Sequence, residues 1–235
     1  AFFFFSMIVC DGEMAVRTAG RSRADYGLPQ DGFVFACLNA TWKIEPEIFA
    51  VWMRILKTVP GSVLWVFDGG LPRARENLMG HCEQSGLPAS RLIFAERVTY
   101  ADYLARYECV DLVLNTRTYS GNTTTLEALA NDVPVLSFAG WEMQSRLAAG
   151  ILSALGVADE LVVPTAEAYE CLAIELATSG SRMAAIRERI REGKRNSGLF
   201  RIDRRVRELE YAYETMWCRY QSGLPPADFS VPSAL

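Results

Sequence analysis

With 235 residues, half of them hydrophobic, and a formal net charge of -4, the chain is long enough for one generous domain or two small ones and apolar enough for a continuous core. Acidic and basic residues are interspersed along its whole length, which argues against a nucleic-acid partner. No apolar run approaches the ~18 residues of a membrane span, and six cysteines without a C-x-x-C pair, beside a single histidine, His81, hold out neither a disulfide framework nor a metal set. Unpaired thiols of this kind suit a reducing compartment, so the expected location is the cytoplasm.

Residues 1–10 are apolar but run directly into Asp11 and Glu13, unlike a signal peptide. They read as a strand, and residues 1–30 as an N-terminal remnant of strand plus linker. From Phe33 the chain alternates short β-rich runs with helical stretches. A strand over residues 33–38 precedes an amphipathic helix over 46–59, opened by Pro46 and stopped by Pro60-Gly61. Residues 62–67 form a nearly continuous apolar strand, Asp68-Gly69-Gly70 a turn, and residues 72–84 a second helix. Further strands are expected at 91–94, 111–114 and 133–137, with helices over 101–107, 124–130 and 142–155. Continuous apolar strands need cover on both faces. The expected fold is therefore α/β, a Rossmann-like doubly wound parallel sheet with right-handed crossovers. Beyond Val163 the chain reads as helical to about Gly223, followed by a proline-bearing tail, residues 224–235. The last helix carries Val206, Leu209, Tyr213, Met216, Trp217 and Tyr220 on one wide apolar stripe, which is expected to pack on the chain's own sheet or in part on a second domain.

Ligands of open parallel sheets bind beyond the carboxyl ends of the strands, and two loops there carry chemistry. The first runs Asn39-Ala40-Thr41-Trp42-Lys43-Ile44-Glu45-Pro46. Lys43, just ahead of a helix, could stabilise a departing diphosphate without a metal, or could be a solvated loop lysine. The second runs Tyr119-Ser120-Gly121-Asn122-Thr123-Thr124-Thr125-Leu126-Glu127. Gly121 permits a tight turn, and the amides and hydroxyls of Thr123, Thr124 and Thr125 could meet a phosphate at a helix N-terminus. Glu127 could accept hydrogen bonds from a ribose diol, yet Thr124-x-x-Glu127 also matches a capping box that needs no ligand. In residues 97–106, Arg106 or Tyr103 could lie against a flat base, or the stretch could be an ordinary amphipathic helix. His81 reads as a surface residue.

The ordered residues Asp31-Gly-Phe-Val-Phe, Asn39, Lys43-Ile-Glu-Pro46, Trp52, Val59-Pro60, Leu64-Trp65, Gly86-Leu-Pro88, Arg91-Leu-Ile-Phe94, Asp111, Leu114-Asn115-Thr116, Gly121-Asn-Thr-Thr124, Leu129-Ala130, Val133-Pro-Val135 and Ser145-Arg146 form a specific pattern. With the closing run Leu209-Glu210, Ala212-Tyr213, Met216-Trp217 and Tyr220, the chain resembles the C-terminal catalytic lobe of the O-GlcNAc transferase/SPINDLY family, glycosyltransferase family 41, over residues 22–220. The resemblance implies the donor-binding half of a GT-B enzyme, in which two Rossmann-like lobes enclose the donor and transfer inverts the anomeric centre without a metal or cofactor. It implies transfer of N-acetylglucosamine from UDP-GlcNAc, or of fucose from GDP-fucose, to Ser or Thr of proteins. By position, Lys43 is the catalytic diphosphate contact, Thr123 and Thr124 bind the diphosphate with Gly121 and Asn122, Asn39 lines the donor site, Arg106 lies at the base and Glu127 at the ribose. Asn122 and Tyr103 stand where the family commonly has histidine, and Ala40 replaces a frequent polar residue. The family's N-terminal lobe and its tetratricopeptide repeats have no counterpart in these residues. The expectation is thus a lobe weak or inactive by itself, with a nucleotide-sugar, an acceptor protein and the missing lobe as partners; the alternative is a nucleotide-binding or interaction module that has lost transfer.

Overall fold

A computed structural model describes residues 21–232; the strand expected within residues 1–10 lies outside them. Residues Val34–Cys37 form β1, with all four side chains buried. Such a strand is stable only with cover on both faces. The first cover is α1, Pro46–Thr58, which begins with proline at a position where the missing N–H is not needed and buries Ile48, Phe49, Val51, Trp52, Met53, Ile55 and Leu56. Gly61, at φ +73°, turns the chain into β2, Val63–Phe67. The helix α2, Pro72–Gln84, and the strand β3, Leu92–Ala95, follow.

The chain continues through α3, Tyr100–Ala105, β4, Leu112–Leu114, α4, Thr123–Ala130, β5, Val135–Phe138, and α5, Met143–Leu155. Two short elements escape the sequence reading: α6, Ala158–Leu161, and β6, Val162–Val163. They are too short to show a period. The strands pair in parallel in the order β3-β2-β1-β4-β5-β6, with Ala36 of β1 opposite Trp65 of β2 on one side and Val113 of β4 on the other. This is the doubly wound order, and right-handed crossovers put α1 and α2 on one face and α3, α4 and α5 on the other. The order reverses between β1 and β4, which opens a crevice beyond their carboxyl ends.

Three further helices close the described chain: α7, Ala166–Thr178, α8, Gly180–Asn196, and α9, Ile202–Gln221. α7 packs beside α1, and α8 against α5 and α7. The sheet is then covered, and α9 finds no open face of it. Ala212 is the buried residue of α9, while Val206, Tyr213, Trp217 and Tyr220 remain exposed, Trp217 at 58%. The expectation that this stripe packs on the chain's own sheet is not met.

Candidate functional site

Two asparagines set the floor of the crevice. Asn39 follows β1 and Asn115 follows β4, and both are buried. The Oδ1 of Asn115 accepts the backbone N–H groups of Thr116 at 3.0 Å and Gly121 at 2.7 Å. Those fixed donors determine which amide atom is which. The Asn39 Nδ2 therefore donates to the same oxygen, 3.0 Å away, and also reaches the Thr116 hydroxyl at 3.2 Å. The Oδ1 of Asn39 in turn accepts the Thr124 hydroxyl at 2.9 Å. One connected network thus joins the β1 loop, the β4 loop and the first turn of α4. Asn115 and Thr116 were read from the sequence only as part of the family pattern. Their role appears when segments 76 positions apart are brought together.

Gly121 sits against that network. A Cβ there would lie 2.5 Å from the Thr124 hydroxyl oxygen and 3.0 Å from Asn39 Oδ1, so the site requires glycine. Helix α4 starts at Thr123 after Asn122, and no side chain caps it. The amides of Thr123 and Thr124, in the first turn, have no helical acceptor of their own. The Thr123 side chain is exposed, and Asn122 Oδ1 is buried without a partner. The Thr124-x-x-Glu127 capping box is not formed. Thr124 lies inside the helix, and its hydroxyl is taken by Asn39.

Lys43 ends a 3-10 turn, Thr41–Lys43, immediately ahead of α1. Its ammonium stands 4.0 Å from the centre of the Tyr119 ring and 5.6 Å from that of Trp42. Those rings contact each other at 5.4 Å, so the cation is drawn towards the β4 loop, two residues before Gly121. Among the described residues it has no carboxylate partner. Partial burial pulls its pKa below the ordinary lysine value. An anion seated at the α4 N-terminus would meet this cation and the free amides together.

Glu127 and Arg106 are placed differently from the open contacts the resemblance implies. Glu127 is 3% exposed, and its carboxylate lies between the hydroxyls of Tyr100 at 3.1 Å and Tyr103 at 2.8 Å. Burial raises its pKa, partly offset by those hydrogen bonds. Arg106 is 2% exposed, its guanidinium 5.6 Å from the rings of both Tyr26 and Trp65. The structure brings together Asn39, Gly121, Asn122, Thr123, Thr124 and Lys43, with Glu127 one turn beneath. His81 lines a separate groove of about 260 Å³ between α1 and α2. Among the described residues, no His, Cys, Asp and Glu side chains group so as to hold a metal ion, and no helix is long and apolar enough to cross a membrane.

The sequence model of Glycosyl transferase family 41 matches residues 8–209. The chain belongs to that family. It is 33% identical over 210 residues to the probable UDP-N-acetylglucosamine--peptide N-acetylglucosaminyltransferase SEC of Arabidopsis thaliana, covering 89% of this chain and 21% of that protein. It is 32% identical over 204 residues to the UDP-N-acetylglucosamine--peptide N-acetylglucosaminyltransferase of Caenorhabditis elegans, covering 87% of this chain and 18% of that one. Among solved structures, a mutant O-GlcNAc transferase of Thermobaculum terrenum superposes with a TM-score of 0.72 at 33% identity, over 79% of this chain and 36% of the other. The family 41 chain thus spans about a fifth of these curated relatives. Its parallel sheet is the Rossmann-like, C-terminal donor-binding lobe of the GT-B architecture.

Proposed function

We propose that this family 41 chain binds the diphosphate of a nucleotide-sugar, and that it forms the donor half of a metal-independent, inverting protein O-glycosyltransferase acting from UDP-GlcNAc on Ser or Thr hydroxyls. The observation that carries the reading is the placement, at the β1/β4 reversal, of the Lys43 ammonium 4.0 Å from the ring of Tyr119, two residues before the Gly121 turn that leads into the uncapped α4. As the glycosidic bond breaks, negative charge develops on the leaving diphosphate. Lys43 and the amides of Thr123 and Thr124 are pre-positioned to stabilise that charge. The Asn39–Asn115 network holds the cradle before any ligand arrives, so little reorganisation is needed. The names of the curated relatives favour UDP-GlcNAc as the donor. Acceptance of the hydroxyl proton and recognition of the acceptor protein are assigned to the second lobe.

Calorimetric titration of the purified chain with UDP and GDP tests the diphosphate reading. One nucleotide should bind, and Lys43→Ala and Thr124→Ala should each weaken it by about 1 kcal/mol or more, the usual size of a charge-assisted contact. Absence of binding with an intact fold would remove the reading. A second reading, a module that binds the nucleotide but no longer transfers, is favoured by the closed Glu127 carboxylate and by Asn122. It predicts the same binding with no transfer when a second lobe is supplied.

A further inference from the structure

We propose that Tyr119 is a positioning residue for Lys43: its ring face holds the ammonium on the loop that leads into Gly121, without neutralising it. The proposal rests on the diphosphate reading above. A cation over an aromatic face is attracted by the ring's quadrupole and keeps its full charge. A carboxylate in the same place would cancel that charge, and an arriving diphosphate would have to displace it. The Lys43 ammonium stands 4.0 Å from the centre of the Tyr119 ring and 5.6 Å from that of Trp42. None of the ion pairs among the described residues includes it.

The carboxylate nearest to Lys43 in sequence is engaged elsewhere. Glu45, two positions on, accepts the backbone N–H of Thr118 at 3.2 Å, a bond that ties the Lys43 loop to the loop carrying Tyr119. The backbone under the Tyr119 ring is fixed on both sides. The Thr116 hydroxyl donates to the Tyr119 carbonyl at 2.6 Å, and the Ser120 N–H donates to the Gln144 carbonyl at 3.0 Å. Trp42 lies against the ring itself, with centres 5.4 Å apart and planes at 59°. The seat is therefore built before any ligand is present. A lysine ammonium rides on a flexible four-carbon stem, and holding it in place beforehand removes that ordering cost from binding. The ring occupies one side of the ammonium, whose three N–H donors leave others for phosphate oxygens.

The test titrates the full chain with inorganic pyrophosphate, which presents a diphosphate alone. Tyr119→Leu should weaken binding by about 2- to 30-fold, and Tyr119→Phe, which keeps the ring, should stay within about twofold of the parent. In a Lys43→Met background, Tyr119→Leu should cause no further loss, because the ring acts only through the ammonium. Equal losses in both backgrounds, a loss in Tyr119→Phe as large as in Tyr119→Leu, or tighter binding in Tyr119→Leu would overturn the proposal. A nuclear magnetic resonance readout needs no ligand. The Lys43 Hε protons, identified by their absence in Lys43→Met, should resonate upfield of ordinary lysine through the ring current of Tyr119, and should return to the ordinary position in Tyr119→Leu. An ordinary position in the parent chain would overturn the ring contact itself. Binding lost in Lys43→Met but kept in Tyr119→Leu would overturn the role of Tyr119 alone; a parent chain that shows the upfield shift yet binds no pyrophosphate would overturn the diphosphate reading, and this role with it.

Discussion

The side-chain amide of Asn39 donates to the side-chain oxygen of Asn115, 3.0 Å away, across the boundary where the strand order reverses. Two loops from distant parts of the chain are locked together by this bond, and the first turn of α4 is added through Thr124. Removing Asn39 leaves buried partners unsatisfied, at a cost of about 1–3 kcal/mol. Urea unfolding of Asn39→Ala should show that loss, and nucleotide affinity should fall with it. A stability equal to the parent's would mean the bond is not formed in solution.

Gly121→Ala tests the same floor from above. The added methyl would press on the Thr124 hydroxyl and Asn39 Oδ1. Overpacking of this kind costs about 1–3 kcal/mol, and here it also displaces the turn that presents the α4 amides. We expect nucleotide binding to be lost before the fold is, measured by calorimetry beside circular dichroism.

If Lys43 holds the diphosphate as proposed, binding depends on pH. The Lys43 pKa in the free chain lies below the usual lysine value because of burial, and a bound diphosphate favours the charged form and raises it. Binding therefore takes up protons in the window between those two values. Affinity should be full below the free-chain pKa and decline as pH rises through it. Calorimetry at several pH values should show the decline in the parent chain and no such decline in Lys43→Met; a matching decline in Lys43→Met would assign it to another group.

The tyrosines around Glu127 give a second pH signature. The hydroxyls of Tyr100 and Tyr103 donate to the Glu127 carboxylate, and burial outweighs those bonds and raises its pKa. The folded state then binds a proton that the unfolded state releases, so this group's contribution to stability is present at acid pH and lost as pH rises from 4.5, the unfolded reference value, through the raised folded value. Glu127→Gln mimics the protonated form. Its stability relative to the parent should grow across that window, as read from paired denaturant titrations; a constant difference would show that the carboxyl titrates normally.

Arg106 gives the converse test. Its guanidinium is buried, and its Nε has no hydrogen-bond acceptor among the described residues. Exchanging such a group for an apolar side chain of similar length is often neutral or stabilising. Arg106→Met should keep or raise the urea midpoint and leave UDP affinity within about twofold. Lost affinity in a folded variant would return Arg106 to the base.

The strand-and-helix frame was legible because β1, β2 and β4 are unbroken apolar runs and α1 and α2 are bounded by proline and glycine. Lys43 and the Gly121 turn were legible as well, since a lysine before a helix and a glycine before threonines are local signals. The environment of Glu127 was not. Its carboxyl is occupied by side chains from α3, and spacing along α4 says nothing of what crosses over from another helix. The N-terminus of α4 was misjudged by one residue for a related reason: Thr124 looks like a cap when only its neighbours in sequence are visible, whereas Asn39 claims its hydroxyl from across the crevice. The exposed stripe of α9 shows the opposite limit. Periodicity identifies an apolar face but not whether the sheet still has room for it.

Tyr169, buried in α7 and stacked on Phe138 with ring centres 4.5 Å apart, donates its hydroxyl to the backbone carbonyl of Asn115 at 3.0 Å. The asparagine that underlies the cradle is thus held from behind by a helix made well after the last cradle residue. A piece of this chain ending before Ala166 contains Lys43, Gly121 and Thr124 yet lacks the brace beneath them. During synthesis, too, the proposed binding surface emerges from the ribosome before Tyr169, the residue that braces Asn115 from behind.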